Sequence, residues 1–200
     1  MKLGIGLSLG KFSKGLDSNA QAFISAAGIT NPTQQNAINQ LVIDLKTYGL
    51  WTKMKAVYPM VGGTSSSCKY NLVNPQDTDA AFRLVFNGGW TFDNNGATPN
   101  GTNGYADTKL NPSTTLSLNS THISYYSRTL SNGTEVEIGS ANTGAINGSL
   151  IEIRTAGITY YRVNSGQSYL SYTDSDSRAF YIANRTASNI VNGWRNSNQV

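Results

Sequence analysis

At 200 residues the chain is long enough for one domain with a real core, or for one domain and a small appendage. Only 13% of residues are charged, while Gly (20), Asn (22), Ser and Thr are abundant; this suits an all-β domain with many tight turns and excludes long, charge-coated helices. The net charge of +4 comes from Lys and Arg scattered singly between Lys2 and Arg195, so no basic stripe is gathered for phosphates and nucleic acid is not an expected partner.

Aromatic residues make up 10% of the chain, 11 of them Tyr, which separates this composition from that of a disordered polar segment. One cysteine, Cys68, cannot form an intramolecular disulfide, and with the single His122 it cannot build a Cys/His zinc site. The apolar stretch Met1–Gly10 is interrupted by Gly and Ser and lacks a small-residue cleavage site, so it is a poor signal peptide. No run approaches the ~20 apolar residues of a membrane span, and membrane insertion is not expected.

Residues 1–16 are too Gly- and Ser-rich to build a core and read as an extended docking segment. Residues 17–60 carry the helical periodicity. Asp17 and Ser18 can cap a short helix whose Ala20, Phe23, Ile24 and Ala27 share a face, with Gly28 ending it. Asn31 then caps a second helix with Pro32 at its first position and Gln34 reaching back. Its apolar face is expected to hold Ala37, Ile38, Leu41, Val42, Leu45 and Tyr48, and Gly49 stops it. Leu50, Trp51 and residues 54–61 link this helical layer to a sheet.

From about Cys68 the texture becomes that of strands, and residues 61–200 are expected to form the sandwich. Asn94–Gly104 reads as a long Gly/Asn loop. His122–Arg128 alternates, with Ile123 and Tyr125 on one face and Tyr126 and Arg128 on the other. Asn132-Gly133 is expected to turn it back into Glu135–Ile138, with Val136 and Ile138 inward. Asn147-Gly148 reads as a second hairpin turn before Leu150–Arg154, and Gly157 introduces Ile158–Val163. Strands at Ala179–Ala183 and Ser188–Val191 follow, with Asn192-Gly193 as a third turn.

Groups able to titrate or attack are few: three Glu, eight Asp and one His. Glu135 and Glu137 share a face of their expected strand, as an acid and nucleophile pair would in a glycan hydrolase. The strand is short and directly follows a turn, so the reading taken is a solvated outer face and no catalytic residue is assigned. His122 has no nucleophile-elbow Ser or spaced Asp to work with. Asp174-Ser175-Asp176 resembles a fragment of a calcium loop but lacks its Gly and closing Glu, so no metal or other cofactor is assigned. The five Asn-x-Ser/Thr sequons arise easily in so Asn-rich a chain. Exposed aromatics remain as candidate binding residues: Trp90, Tyr105, Tyr126, Tyr161 and Trp194, whose rings suit sugar stacking or protein contact.

Two long segments resemble parts of phage virion proteins: Phe23–Leu50, within AFISAAGITNPTQQNAINQLVIDLKTYGLW, and AAFRLVFNGGWTFDNNGATPNGTNGYADTKLNP, Ala80–Pro112. The segment AFYIANRTASNIVNGWRNSNQV, Ala179–Val200, resembles a strand–turn–strand hairpin of the LamG type. The resemblance implies two short helices ahead of a mainly β, antiparallel concanavalin A-like jelly-roll sandwich. It implies a fibre, tail-associated or head-decorating protein, located in the virion. Its partners would be other virion proteins, further copies of itself and host-surface carbohydrate. In that pattern more strands follow the last hairpin, so the sandwich is expected to be unfinished at Val200 and completed by further residues or a neighbouring subunit. The alternatives are a secreted non-catalytic carbohydrate-binding module and, behind it, a sandwich-fold glycan hydrolase.

Overall fold

The computed structural model describes residues 15–141, 148–165, 170–188 and 190–200. Residues 1–14 of the expected docking segment and the Asn147 turn position lie outside these. The chain is mainly β with antiparallel sheets and a few helices, and it divides into two compact units between Leu110 and Asn111. The strands from Val85 to Asp107 therefore belong to the helix-bearing unit, whereas a sandwich spanning residues 61–200 would have claimed them.

In the first unit, α1 (Ser18–Ala27) starts where the Asp17 carboxylate accepts the Asn19 amide and ends at Gly28, whose φ of 64° supplies the left-handed turn. In α2 (Pro32–Thr47) the Asn31 side chain accepts the amides of Thr33 and Gln34, with Pro32 in the first turn. Lys46 ties the helices together: it donates to both Asp17 carboxylate oxygens (2.7 and 2.8 Å) and to Asn19, and lies 5.5 Å from the centre of the Trp51 ring. Between them sits a core of Ala20, Phe23, Ile24, Ala27, Ile29, Ile38, Val42 and Leu72. The buried stripe of α2 is narrower than its apolar stripe, since Ala37, Leu41 and Tyr48 are exposed.

One amide joins several segments of the rest of this unit. The fully buried Asn71 accepts the main-chain N–H groups of Val57 (3.0 Å) and Val73 (3.1 Å), and donates to the carbonyls of Lys55 (3.0 Å) and Ala81 (3.1 Å). Three chain segments without regular pairing are thus joined with every polar position of the side chain used. A single helical turn, α3 (Ser65–Cys68), is capped by Thr64. Two small sheets follow, one pairing β1 (Val85–Asn87) with β4 (Tyr105–Asp107) and the other β2 (Trp90–Asp93) with β3 (Gly96–Pro99). Half of the expected Gly/Asn loop is therefore a hairpin. The other half is organised by Asn100, whose side-chain Oδ1 accepts the main-chain amides of Thr102, Asn103 and Gly104. Gly88 (φ 71°) packs so closely on the Asn103 carbonyl that a Cβ there would overlap it.

The second unit opens with a helical turn, α4 (Pro112–Thr115), and then forms two four-stranded antiparallel sheets. One runs β12 (Asn198–Gln199), β11 (Ile190–Arg195), β10 (Ala179–Ala187), β5 (Thr121–Ser127). The other runs β6 (Ile138–Ala141), β7 (Gly148–Thr155), β8 (Ile158–Ser165), β9 (Leu170–Thr173). Their inner faces meet in a core of Ile151, Ile153, Tyr161, Val163, Ala179, Tyr181 and Ala183, with Ile123, Tyr125, Ile138, Leu170, Tyr172, Val191 and Val200 at its margin.

The expected mainly β, antiparallel architecture is present, with β6 to β9 consecutive neighbours in one sheet and β10 to β12 in the other, and β5 beside β10. Two expected turns are corrected. Asn132-Gly133 joins β5 to β6 across the two sheets and makes no hairpin between them. Asn192-Gly193 lies inside β11, where Tyr161 and Leu170 approach within 3 Å of where a Gly193 Cβ would stand. Glycine there serves close sheet packing rather than a turn. The last residues are a paired strand: β12 adds to β11, and the Val200 amide donates to the Gly193 carbonyl at 3.0 Å.

Candidate functional site

Strand register fixes which side chains share a face, because residues directly opposite in an antiparallel pair project the same way. On the β12–β11–β10–β5 sheet, Tyr126 opposes Phe180, and Ser124 opposes Ile182, which in turn opposes Trp194. His122 opposes Asn184, Asn184 opposes Asn192, and Trp194 opposes Gln199. The intervening residues Ile123, Tyr125, Tyr181 and Ala183 point into the core. The outer face is therefore a platform of Tyr126 (64% exposed), Phe180 (40% exposed), Ile182 and Trp194, bordered by amides. Those amides form a ladder: Asn192 donates to Asn184 and Gln199 donates to Asn192, each at 3.3 Å.

Of the expected binding residues, Tyr126 and Trp194 are brought onto this one face with β10 between them. Tyr161 is corrected: it is fully buried, stacks on Tyr172 with ring centres 6.2 Å apart, and donates its hydroxyl to the Trp194 carbonyl (3.1 Å). It thereby supports the strand that carries Trp194. Trp90 and Tyr105 belong to the other unit. Trp90 is half-buried against Phe86 and Phe92, with its indole N–H donating to the Asn87 carbonyl (2.9 Å), whereas Tyr105 is 61% exposed on β4. Phe180 and Ile182 were missed; the pairing of Phe180 with Tyr126 could be found only from the β10–β5 register, which joins residues more than fifty positions apart.

Beneath the platform the sandwich encloses a carboxylate. Asp174 is buried and accepts the hydroxyls of Tyr181 (2.7 Å), Tyr172 (2.8 Å) and Thr159 (3.0 Å) and the amide of Asp176 (3.1 Å), with Arg195 at 3.3 Å. Burial alone would raise its pKa, but the hydroxyl and amide donors outweigh that and hold the carboxyl below its usual range. The same burial, with the carboxylate accepting their protons, raises both Tyr172 and Tyr181. The calcium-loop fragment thus has another explanation: Asp174 is occupied within the core, and Asp176 pairs with Arg178 (2.8 Å). Among the described residues no His, Cys, Asp and Glu cluster suited to a metal occurs. Arg185 is also buried and donates to the carbonyls of Ala187, Val163, Asn164 and Ser188, fastening β10 to β8.

The Glu135–Glu137 pair is corrected as well. Both precede β6 instead of lying on a strand, and Val136, expected inside, is exposed. Glu135 folds back to accept the Thr134 amide (2.8 Å). Glu137 is half-buried and accepts the Ile153 amide of β7 (2.7 Å). Burial, reinforced by the neighbouring Glu152 and Glu135 and opposed by the Ile153 bond, pushes Glu137 up to about 7. Glu152 in turn accepts the Thr155 hydroxyl (2.7 Å). In this arrangement the carboxylates brace main-chain and hydroxyl donors around the β6–β7 edge.

The second unit is thus an antiparallel β-sandwich with an aromatic and amide platform on one outer face, beside which stand the exposed Arg128 and Arg178. No protein-family model, curated protein or solved structure matched the chain.

Proposed function

We propose that this chain is a non-enzymatic structural component of a phage particle, a fibre, tail-associated or head-decorating protein whose sandwich unit meets the surroundings through its outer platform. The observation that carries this reading is the outward-facing set Tyr126, Phe180, Ile182 and Trp194 on one sheet face, the first two exposed and the last two half-buried. A face of that kind, backed by a tightly bonded interior, is suited to contact. The titratable groups of the interior are engaged in the fold: Asp174 with three hydroxyls, Glu137 with the Ile153 amide. The virion setting draws its support from the segments Phe23–Leu50 and Ala80–Pro112, which resemble virion proteins.

Association with further copies belongs to the same reading. Among the described residues, β5 and β12 end one sheet and β6 and β9 end the other, leaving strand edges to which another chain can add. Mass spectrometry of tryptic digests from purified phage particles tests the assignment. Peptides of this chain at a fixed ratio to the major capsid protein are expected. Their absence from particles, with the chain found free in the medium, would favour a secreted binding module.

A further inference from the structure

We infer that Asn132 is a self-modification site, where the Gly133 nitrogen attacks the Asn132 side chain and converts it, through a cyclic imide, to aspartate or isoaspartate. The inference goes beyond the particle assignment and does not depend on it.

The chemistry needs only the chain and water. The backbone nitrogen after an asparagine bonds to the side-chain Cγ, the Cγ–Nδ2 bond breaks, and ammonia leaves with the proton that the backbone nitrogen gave up. Water then opens the imide at either carbonyl, giving aspartate or its isomer. A following glycine favours closure, because it has no Cβ to crowd the attacking nitrogen. The fold can speed the step with an N–H donor on Oδ1, where negative charge collects, and with a base beside the attacking residue. It can stop the step by holding the glycine nitrogen or the side-chain amide in other bonds.

Seven Asn-Gly pairs occur, and six lie wholly within the described residues. Five of these are held. Gly96 is paired with Asp93 across the β2–β3 turn. Gly193 is paired with Ala183 inside the β10–β11 ladder, while Asn192 donates its amide to Asn184. Gly88 is wedged against the Asn103 carbonyl, and Asn87 donates to the Val85 carbonyl (3.0 Å). Asn100 donates its amide to the Asn103 side chain (2.8 Å), and the Gly104 amide that would attack Asn103 donates to Asn100 instead (3.0 Å).

Asn132-Gly133 is the exception. It lies in the crossover from β5 to β6, outside every strand, and Asn132 is exposed. Its Oδ1 accepts the Gly157 amide from the β7–β8 turn (2.9 Å), so a donor already stands at the oxygen that must take up charge. Among the described residues, the Asn132 Nδ2 and the Gly133 amide have no acceptor. The Glu135 carboxylate accepts the Thr134 amide (2.8 Å) and packs against Gly133 so closely that a Cβ there would overlap its Oε2. Glycine is thus required by packing, and the group that requires it is a base. In the step, the Gly133 N–H proton passes to Glu135 and from it to the departing ammonia, while the Gly157 N–H steadies Oδ1.

The product carries one more carboxylate, which lowers the net charge of +4 by one. Isoaspartate also inserts a methylene into the main chain of the crossover and shortens the branch that reaches Gly157. The link between the two sheets therefore loosens as the protein ages.

The test is peptide mapping by mass spectrometry of the full chain, kept in warm neutral buffer and sampled over time. Electron-transfer fragmentation separates aspartate from isoaspartate. Of the six described pairs, Asn132 is expected to convert first, at least about tenfold faster than the next. In denaturant the six rates should converge, because the fold no longer positions or holds any of them. Glu135→Gln still offers the Thr134 amide an acceptor but is no base; it should slow conversion at least about tenfold with an unchanged melting temperature. Conversion of another of the six while Asn132 stays intact would overturn the proposal, as would slower conversion of Asn132 in the folded than in the unfolded chain. A wild-type rate in Glu135→Gln would overturn it too, since the fold would then supply no base.

Discussion

The two units solve the problem of a polar interior in opposite ways. In the first, the buried hub is neutral: Asn71 binds four main-chain groups, those of Lys55, Val57, Val73 and Ala81, that no sheet ladder pairs. In the second, the hub is charged: Asp174 is surrounded by tyrosine and threonine hydroxyls and faced by Arg195. An amide suits irregular backbone, because it offers donors and acceptors together. A carboxylate suits a sandwich, where regular ladders already satisfy the backbone and the remaining need is to fix bulky tyrosines between two sheets. The rigid, tyrosine-pinned interior is what allows the opposite face of the same strands to be exposed and aromatic.

The comparison breaks most visibly at the carboxylate. Asp174→Ala strands Arg195 and three hydroxyls and should destabilise the sandwich by about 3–5 kcal/mol. Hydrogen exchange measured by peptide should rise across β8 to β11 and stay unchanged in α1 and α2; equal loosening of both units would show that the hubs are not separate. Asn71→Ala should produce the mirror image, costing about 2–4 kcal/mol and loosening the segments around Val57, Val73 and Ala81. A smaller effect concerns pH. Glu137 has a folded pKa of about 7 against an ordinary value of 4.5, so the folded chain holds this proton more tightly than the unfolded chain does. Its contribution is therefore greatest below about pH 4.5 and is lost as pH rises towards about 7, on the order of 2 kcal/mol in denaturant melts. Glu137→Gln should flatten that slope, and an unchanged slope would place the titration elsewhere. The smallest effect is Asn31→Ala, which removes the α2 cap and should cost about 1 kcal/mol in the helical unit alone.

The two units also differ in how far they could be read in advance. The helices were legible because their signals are local: Asp17, Gly28, Asn31 and Pro32 act within a few residues of where they stand. The strands were legible as strands, from alternation, but their partners were not. Asn-Gly pairs suggested hairpins at 132–133 and 192–193, yet Gly193 answers to Tyr161 and Leu170 from the other sheet, contacts that no local pattern encodes. For the same reason Tyr161 passed for a surface ring and Phe180 for nothing in particular. Tyr126 and Trp194 could be picked as aromatic strand residues, but their shared face depends on β10 lying between β5 and β11. Asp174 carried a misleading local cue in its Asp-Ser-Asp context, because the tyrosine that encloses it from β10 follows in the next strand of a different sheet.

The account stands most directly on whether the sandwich works through its outer face. Adsorption and composition of phage particles carrying Tyr126→Ala test it. Slower adsorption, or loss of the chain from the particles, is expected while the melting temperature of the purified chain stays unchanged. Wild-type adsorption with wild-type content of the chain would contradict it.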